Sequence, residues 1–294
     1  MKNTKVLVIT YGYFGDIAFA SSLAEFLKKE YDTVDYLIGF PQMRKLINNN
    51  PFINKVFVPP NPGPAPSTSV EFQLTYSKVI QLGPLSFTKP PVVEYKQQAG
   101  IKDKSPEYKL YTDPDLDSAV QTLFTDLPKN KKVIAVMNNW KEKTFTFTEE
   151  QYKAGIDVPN LGYGGAHRDT DKIISVLSDY FTILTVGVDG SNQHQTVNTD
   201  DYDSKSILFE TSIMKYCNAF VGAEGGLCNL AAGVGTSTII TGDFIHQLYG
   251  WNGVIKKINE PKLGPENYFK EGKHKTLDPY LSDEQVVEQI KLLL

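Results

Sequence analysis

Short uninterrupted runs of aliphatic and β-branched residues, each closed by a turn and followed by a helical pattern, constrain this chain more than any other feature. Lys5-Val-Leu-Val-Ile-Thr10 is the first such run. Segments 35–39 and 54–58 follow it, and 132–137, 181–186, 219–222 and 237–241 repeat the grammar later. None alternates apolar with polar residues. A strand apolar on both sides is covered on both faces, as in a parallel sheet. The periodic segments 17–27, 43–49, 116–125, 171–180 and 227–234, with one closing at 212–217, read as the intervening helices. In 171–180, Ile173, Ile174, Val176 and Leu177 are expected to face inward. The expectation is an α/β protein of two Rossmann-like halves.

The first half is placed at 1–128 and the second at 129–280, with 128–132 as the connector. Residues 281–294 form an amphipathic C-terminal helix, able to pack back on the first half. Its Ser282 and Gln285 have capping-box spacing. Segment 59–112 opens with a proline cluster and is the least readable part of the chain.

Charge and cysteine usage then exclude several classes. The formal net charge of -4 gives no general basic face for holding nucleic acid. Two cysteines, Cys217 and Cys228, make no disulfide framework, and the four histidines show no zinc spacing. No metal is expected. No apolar stretch approaches the ~18 residues of a membrane span. A soluble cytoplasmic protein is the expectation, its oligomeric state left open.

Two turns carry the chemistry. In Gly12-Tyr-Phe-Gly15-Asp16, between strand and helix, glycines permit a tight turn and close approach to a ligand. Asp16 reads either as a helix-start residue or as a general base at the carboxyl end of the sheet. The second turn is Ala223-Glu224-Gly225-Gly226-Leu227-Cys228-Asn229, running from a strand into a helix of small residues. Gly225 and Gly226 expose amides at a helix start, where a diphosphate can sit; close αβ packing is the other reading.

These two turns resemble motifs of the heptosyltransferase family of bacterial glycosyltransferases (family nine). Gly15-Asp16 resembles its Gly-Asp at the first strand end, and Asn50-Pro51-Phe-Ile-Asn-Lys-Val56 its later Asn-Pro stretch. Glu224 through Gly235 resembles its Asp-Thr-Gly-Leu-x-His-Leu-Ala-Ala-Ala-Leu-Gly segment. The resemblance spans both halves in order. It implies the GT-B architecture, two Rossmann-like domains whose parallel sheets face each other across a cleft. It also implies that Asp16 is the base and that Glu224, Gly225, Gly226, Leu227 and Asn229 bind the donor. Lys143 would meet the donor phosphates, with Lys141 as its rival. The chain departs from the family at Glu224, Gly225 and Asn229, which replace Asp, Thr and His, so a changed donor sugar, or a changed hold on its hydroxyls, is expected.

Three further candidates complete the site. Gly187 ends a strand and either meets the nucleotide or merely turns the chain. Glu210 either binds a ribose hydroxyl or favours a helix start. Arg168, in a glycine-rich loop, suits a phosphate. The expected reaction is inverting transfer from a nucleotide-sugar to an acceptor hydroxyl, with no cofactor and no obligatory metal. The acceptor would be a glycan, a lipid-linked saccharide or a modified nucleobase. The alternatives are a transferase acting on a modified DNA base, a sugar-nucleotide epimerase and a non-catalytic nucleotide-sugar-binding protein.

Overall fold

The computed structural model describes residues 4–12, 14–63, 65–85, 89–137, 170–187, 207–222, 225–241, 274–277 and 281–294. The chain divides into two compact units, Met1–Asp113 and Pro114–Leu294.

The first unit is a four-stranded, wholly parallel sheet in the order β3-β2-β1-β4. Its strands are β1 (Lys5–Ile9), β2 (Thr33–Leu37), β3 (Lys55–Phe57) and β4 (Lys78–Gln81). Both faces of β1 are covered, as its unbroken apolar run requires. Leu7 and Ile9 pack with Leu37, Phe57, Phe72, Tyr76 and Val79 on one face. On β2, Asp35 accepts a hydrogen bond from the Tyr76 hydroxyl (2.8 Å), and the neighbouring Tyr36 donates from its hydroxyl to the Ala20 carbonyl (2.8 Å). β2 begins two residues earlier than the sequence suggests, because the Thr33 amide already finds the Thr4 carbonyl beside β1.

The helical stretch expected over 17–27 is two helices, α1 (Phe14–Ser21) and α2 (Leu23–Leu27). The break has a local cause. The hydroxyls of Ser21 and Ser22 donate back to the carbonyls of Ala18 and Phe19, at 2.8 and 2.6 Å, and such back-bonding bends helices. Two short helices, α3 (Arg44–Asn48) and α4 (Val70–Gln73), flank β3 in sequence. The unreadable stretch 59–112 supplies β4, α4 and a further helix, α5 (Pro91–Gln98), which packs on α1.

The second unit is a five-stranded parallel sheet in the order β6-β5-β7-β8-β9. The strands are β5 (Val133–Met137), β6 (Thr182–Val186), β7 (Ala219–Gly222), β8 (Ser237–Ile240) and β9 (His274–Thr276). Helix α6 (Pro114–Thr125) belongs to this unit, although the sequence reading left it in 1–128. It packs on the helix Ile207–Tyr216 (α8), and Gln121 Nε2 donates to the Tyr216 hydroxyl (2.8 Å). Helix α7 (Thr170–Ser178) buries Ile173, Ile174 and Leu177 against the sheet. Val176 is 41% exposed, contrary to expectation. It lies roughly 100° round the helix from the centre of that stripe. Helix α9 (Gly226–Gly233) is short, small-residued and buried from Cys228 onward.

The C-terminal helix α10 (Asp283–Leu293) has the expected capping box. Ser282 Oγ accepts from the Gln285 amide, and Gln285 Oε1 accepts from the Ser282 amide (2.8 Å). Its apolar stripe, Val286, Val287 and Ile290, joins the core of its own unit beside α7. Among the described residues no helix is long and apolar enough to cross a membrane.

Candidate functional site

In open parallel sheets, ligands bind beyond the carboxyl ends of the strands, where the chain switches direction across the sheet. The first unit has one such point. From β1 the chain steps to β2 and β3, then returns to the far side of β1 as β4. The crevice between β1 and β4 opens on residues 10–16. It is bridged at its rim, where Gln81 Nε2 donates to the Tyr11 hydroxyl (2.7 Å).

Gly12 has φ +90°, a region that glycine alone enters at little cost. It is required for a second reason. A Cβ there would lie 2.1 Å from Oδ2 of Asp16. The Asp16 carboxylate thus folds back over the turn that precedes its own helix. Asp16 sits in the first turn of α1, where the helix dipole favours a negative group, and Gly15 beside it is buried. The Tyr95 hydroxyl, from α5, donates to Asp16 Oδ1 over 3.4 Å. Tyr95 is 1% exposed. Burial above all, and then the Asp16 charge, push its phenol well above the ordinary range, so it remains a donor. A place in the first helical turn and a hydrogen bond from Tyr95 thus coexist at Asp16.

Sequence reasoning missed Tyr95. It lies in the stretch of weakest pattern, 79 positions from Asp16. The only available signal was the Pro90-Pro91 pair, which suits a helix start.

The second unit has its switch point between β5 and β7. From β5 the chain goes to β6 on one side and to β7, β8 and β9 on the other. Gly222 ends β7 there, and a Cβ on it would fall 2.6 Å from Met137 Cβ at the end of β5. Gly225 caps α9 with φ 153° and ψ -165°, essentially a glycine-only conformation. The first intrahelical bond runs from the Asn229 amide to the Gly225 carbonyl (3.1 Å). The amides of Gly226 and Leu227 precede it and have no partner within the helix, the usual state of a helix N-terminus and a site for an anion. Asn229 is buried one turn into α9.

Gly187 and Glu210 meet. Gly187 follows β6 with φ 119°, and its amide donates to Glu210 Oε1 at 2.7 Å. Glu210 lies in the first turn of α8 and is 8% exposed. Burial raises its pKa, and the Gly187 amide opposes that shift. Sequence reasoning named both residues without pairing them. Lys141, Lys143, Arg168 and Glu224 lie outside the described residues.

The chain has a two-domain α/β fold, two parallel Rossmann-like units in succession. Solved structures of that fold match essentially the whole chain. A family 9 glycosyltransferase from Veillonella parvula aligns with TM-score 0.61 at 13% identity, covering 100% of this chain and 98% of its own. E. coli ADP-heptose LPS heptosyltransferase II aligns with TM-score 0.53 at 13% identity, covering 99% and 98%. An E. coli heptosyltransferase bound to ADP-2-deoxy-2-fluoro heptose aligns with TM-score 0.50 at 10% identity, covering 99% and 100%. At these identities the shared property is the fold, and it is the fold the sequence motifs pointed to. No protein-family model matches the sequence, and comparison with curated proteins finds no match.

Proposed function

We propose that this chain is a glycosyltransferase that moves a sugar from a nucleoside-diphosphate donor to an acceptor hydroxyl with inversion. The observation that carries the reading is the pair of glycine-built turns, each at the switch point of its own parallel sheet. One presents a carboxylate, the other a helix N-terminus. The shared fold supports it, since one neighbour holds a nucleotide-sugar analogue.

In this reading the first unit serves the acceptor. Asp16, aimed by Gly12 and Tyr95, accepts the hydroxyl proton as the oxygen attacks the anomeric carbon. The bond from that carbon to the donor phosphate breaks, and the nucleoside diphosphate leaves. The second unit serves the donor. The amides at Gly225, Gly226 and Leu227 meet the growing phosphate charge, joined by Lys143 or Lys141 and by Arg168. Glu210, fixed by the Gly187 amide, faces the ribose, and Glu224 and Asn229 read the sugar. Backbone dipoles and cations meet the leaving-group charge, so no metal is assigned a part. Cys217 and Cys228 are buried and outside any disulfide, which accords with a cytoplasmic protein.

Asp16→Asn tests this directly. Nucleoside diphosphate release from the donor, assayed in EDTA, is expected to fall at least ~100-fold. Donor affinity is expected to stay within about threefold of wild type. Full turnover in this variant would remove Asp16 from the mechanism.

A further inference from the structure

The first unit contains a cavity of 340 Å³ that the proposed reaction does not use. It lies beside the α1–α2 break, along α2 and under the segment 103–111. Ser22, on its wall, is six residues beyond Asp16, roughly 9 Å along the helix axis at 1.5 Å per residue. Its size falls at the low end of the ~300–1,000 Å³ typical of small-molecule sites.

The walls are set. Lys96 is 1% exposed, and its ammonium is committed to Asp103 Oδ1 (2.6 Å) and the Ser105 carbonyl (2.8 Å). Burying an ammonium is costly unless it is paired in this way. The effect of the pairing is to pin segment 103–105 as a wall. Phe52 and Tyr111 stand nearly at right angles, with centroids 6.2 Å apart and planes at 72°, and form a corner. Phe26 and Tyr108 complete the aromatic lining, and Tyr108 is held edge-on by Phe19 (5.1 Å). Glu25 and Glu107 bring carboxylates to the same space.

The chemistry narrows the occupant. An organic cation would take the aromatic faces, but the chain's own ammoniums are there: Lys96 over Phe26 (4.5 Å) and Lys109 over Tyr111 (4.8 Å). A phosphate would meet two carboxylates and a lysine already committed to Asp103. A purely apolar molecule would gain nothing from the carboxylates, which face water at the rim. A neutral ring can set its C–H faces against Phe52 and Tyr108, which carry neither of those lysines, and donate a hydroxyl to Glu25.

We propose that this cavity is a saccharide-binding site, distinct from the donor and base turns. The assignment is independent of the transferase reading, because none of its residues has a part in the reaction.

The test is titration of the intact protein, by calorimetry and saturation-transfer NMR. The probes are methyl glucoside, methyl galactoside, N-acetylglucosamine, maltose and lactose. Tetramethylammonium, inorganic phosphate and indole are the controls. At least one saccharide is expected to bind with Kd on the order of millimolar. Phe52→Ala and Glu25→Gln are each expected to weaken it about tenfold or more, ~1.4 kcal/mol. Glu25 is exposed, so Glu25→Gln tests the site even if the phenylalanine variant folds poorly. The proposal is overturned if no probe saccharide binds at roughly ten times that concentration. It is equally overturned if binding survives Glu25→Gln, or if a control displaces the sugar more tightly than sugar itself binds.

Discussion

Gly12 and Asp16 are four residues apart, and each explains the other. The turn needs a glycine for its φ of +90°, and the carboxylate occupies the space that the missing Cβ leaves. Gly12→Ala therefore moves the carboxylate as well as straining the turn. Displacement of a reacting group by about 1 Å can cost on the order of 100-fold in rate. Turnover of Gly12→Ala is expected to fall by that order, with donor affinity unchanged, when initial rates and donor titrations are compared. Wild-type turnover would show that the carboxylate is not aimed from this turn. The turn's residues were legible in the sequence, because glycine and aspartate at a strand end have few uses. Tyr95 was not legible. A tyrosine in a helix announces no partner, and this one reaches Asp16 only because α5 packs on α1.

The elements show the same division. Strands 5–9 and 133–137 were readable because a parallel strand needs both faces apolar. Helix α5 was hidden because its sequence, Pro-Val-Val-Glu-Tyr-Lys-Gln-Gln, carries buried Glu94 and Lys96 where a periodic stripe would be apolar. The α1–α2 break was hidden because serine back-bonding leaves the apolar period intact. The capping box of α10 was legible because it is a local reciprocal pair. Ser282→Ala removes the acceptor of the Gln285 amide and is expected to cost about 1 kcal/mol in urea unfolding. No change would mean the helix end is held by packing alone.

The link between β6 and α8 gives a pH prediction. The Glu210 pKa is raised in the folded state by burial, above an ordinary value of 4.5. Between 4.5 and the raised value the folded chain holds more protons than the unfolded one, so stability falls as pH rises through that window. Glu210→Gln keeps an acceptor for the Gly187 amide but cannot titrate. Unfolding free energies measured across that window should slope downward in wild type and lose that component in the variant. Equal slopes would assign the pH dependence to other groups.

At the scale of the whole molecule, the α/β class and the two-unit repetition were legible because seven of the nine described strands obeyed one grammar; β4 and β9, with Lys78, Gln81, His274 and Lys275, did not. The exact division was not, since α6 is amphipathic in a way that suits either unit, and its contacts with α8 decide. The two units carry different chemistry at equivalent places: a carboxylate beyond β1, a helix N-terminus beyond β7. Such a pair suits one substrate that loses a proton and another that loses a phosphate-borne leaving group.

The central claim is that the Gly225 turn receives a nucleoside-diphosphate sugar, and thermal unfolding with ADP-, UDP-, GDP- and CMP-sugars tests it most directly. A ligand at 100 times its Kd adds about 2.7 kcal/mol to the folded state. At least one diphosphate sugar is predicted to raise the midpoint of the wild-type protein accordingly. Gly225→Ala, strained by ~1–3 kcal/mol at that backbone conformation, should start lower and lose the ligand-induced rise. A midpoint unmoved by every donor, or a rise of equal size in Gly225→Ala, would contradict the account.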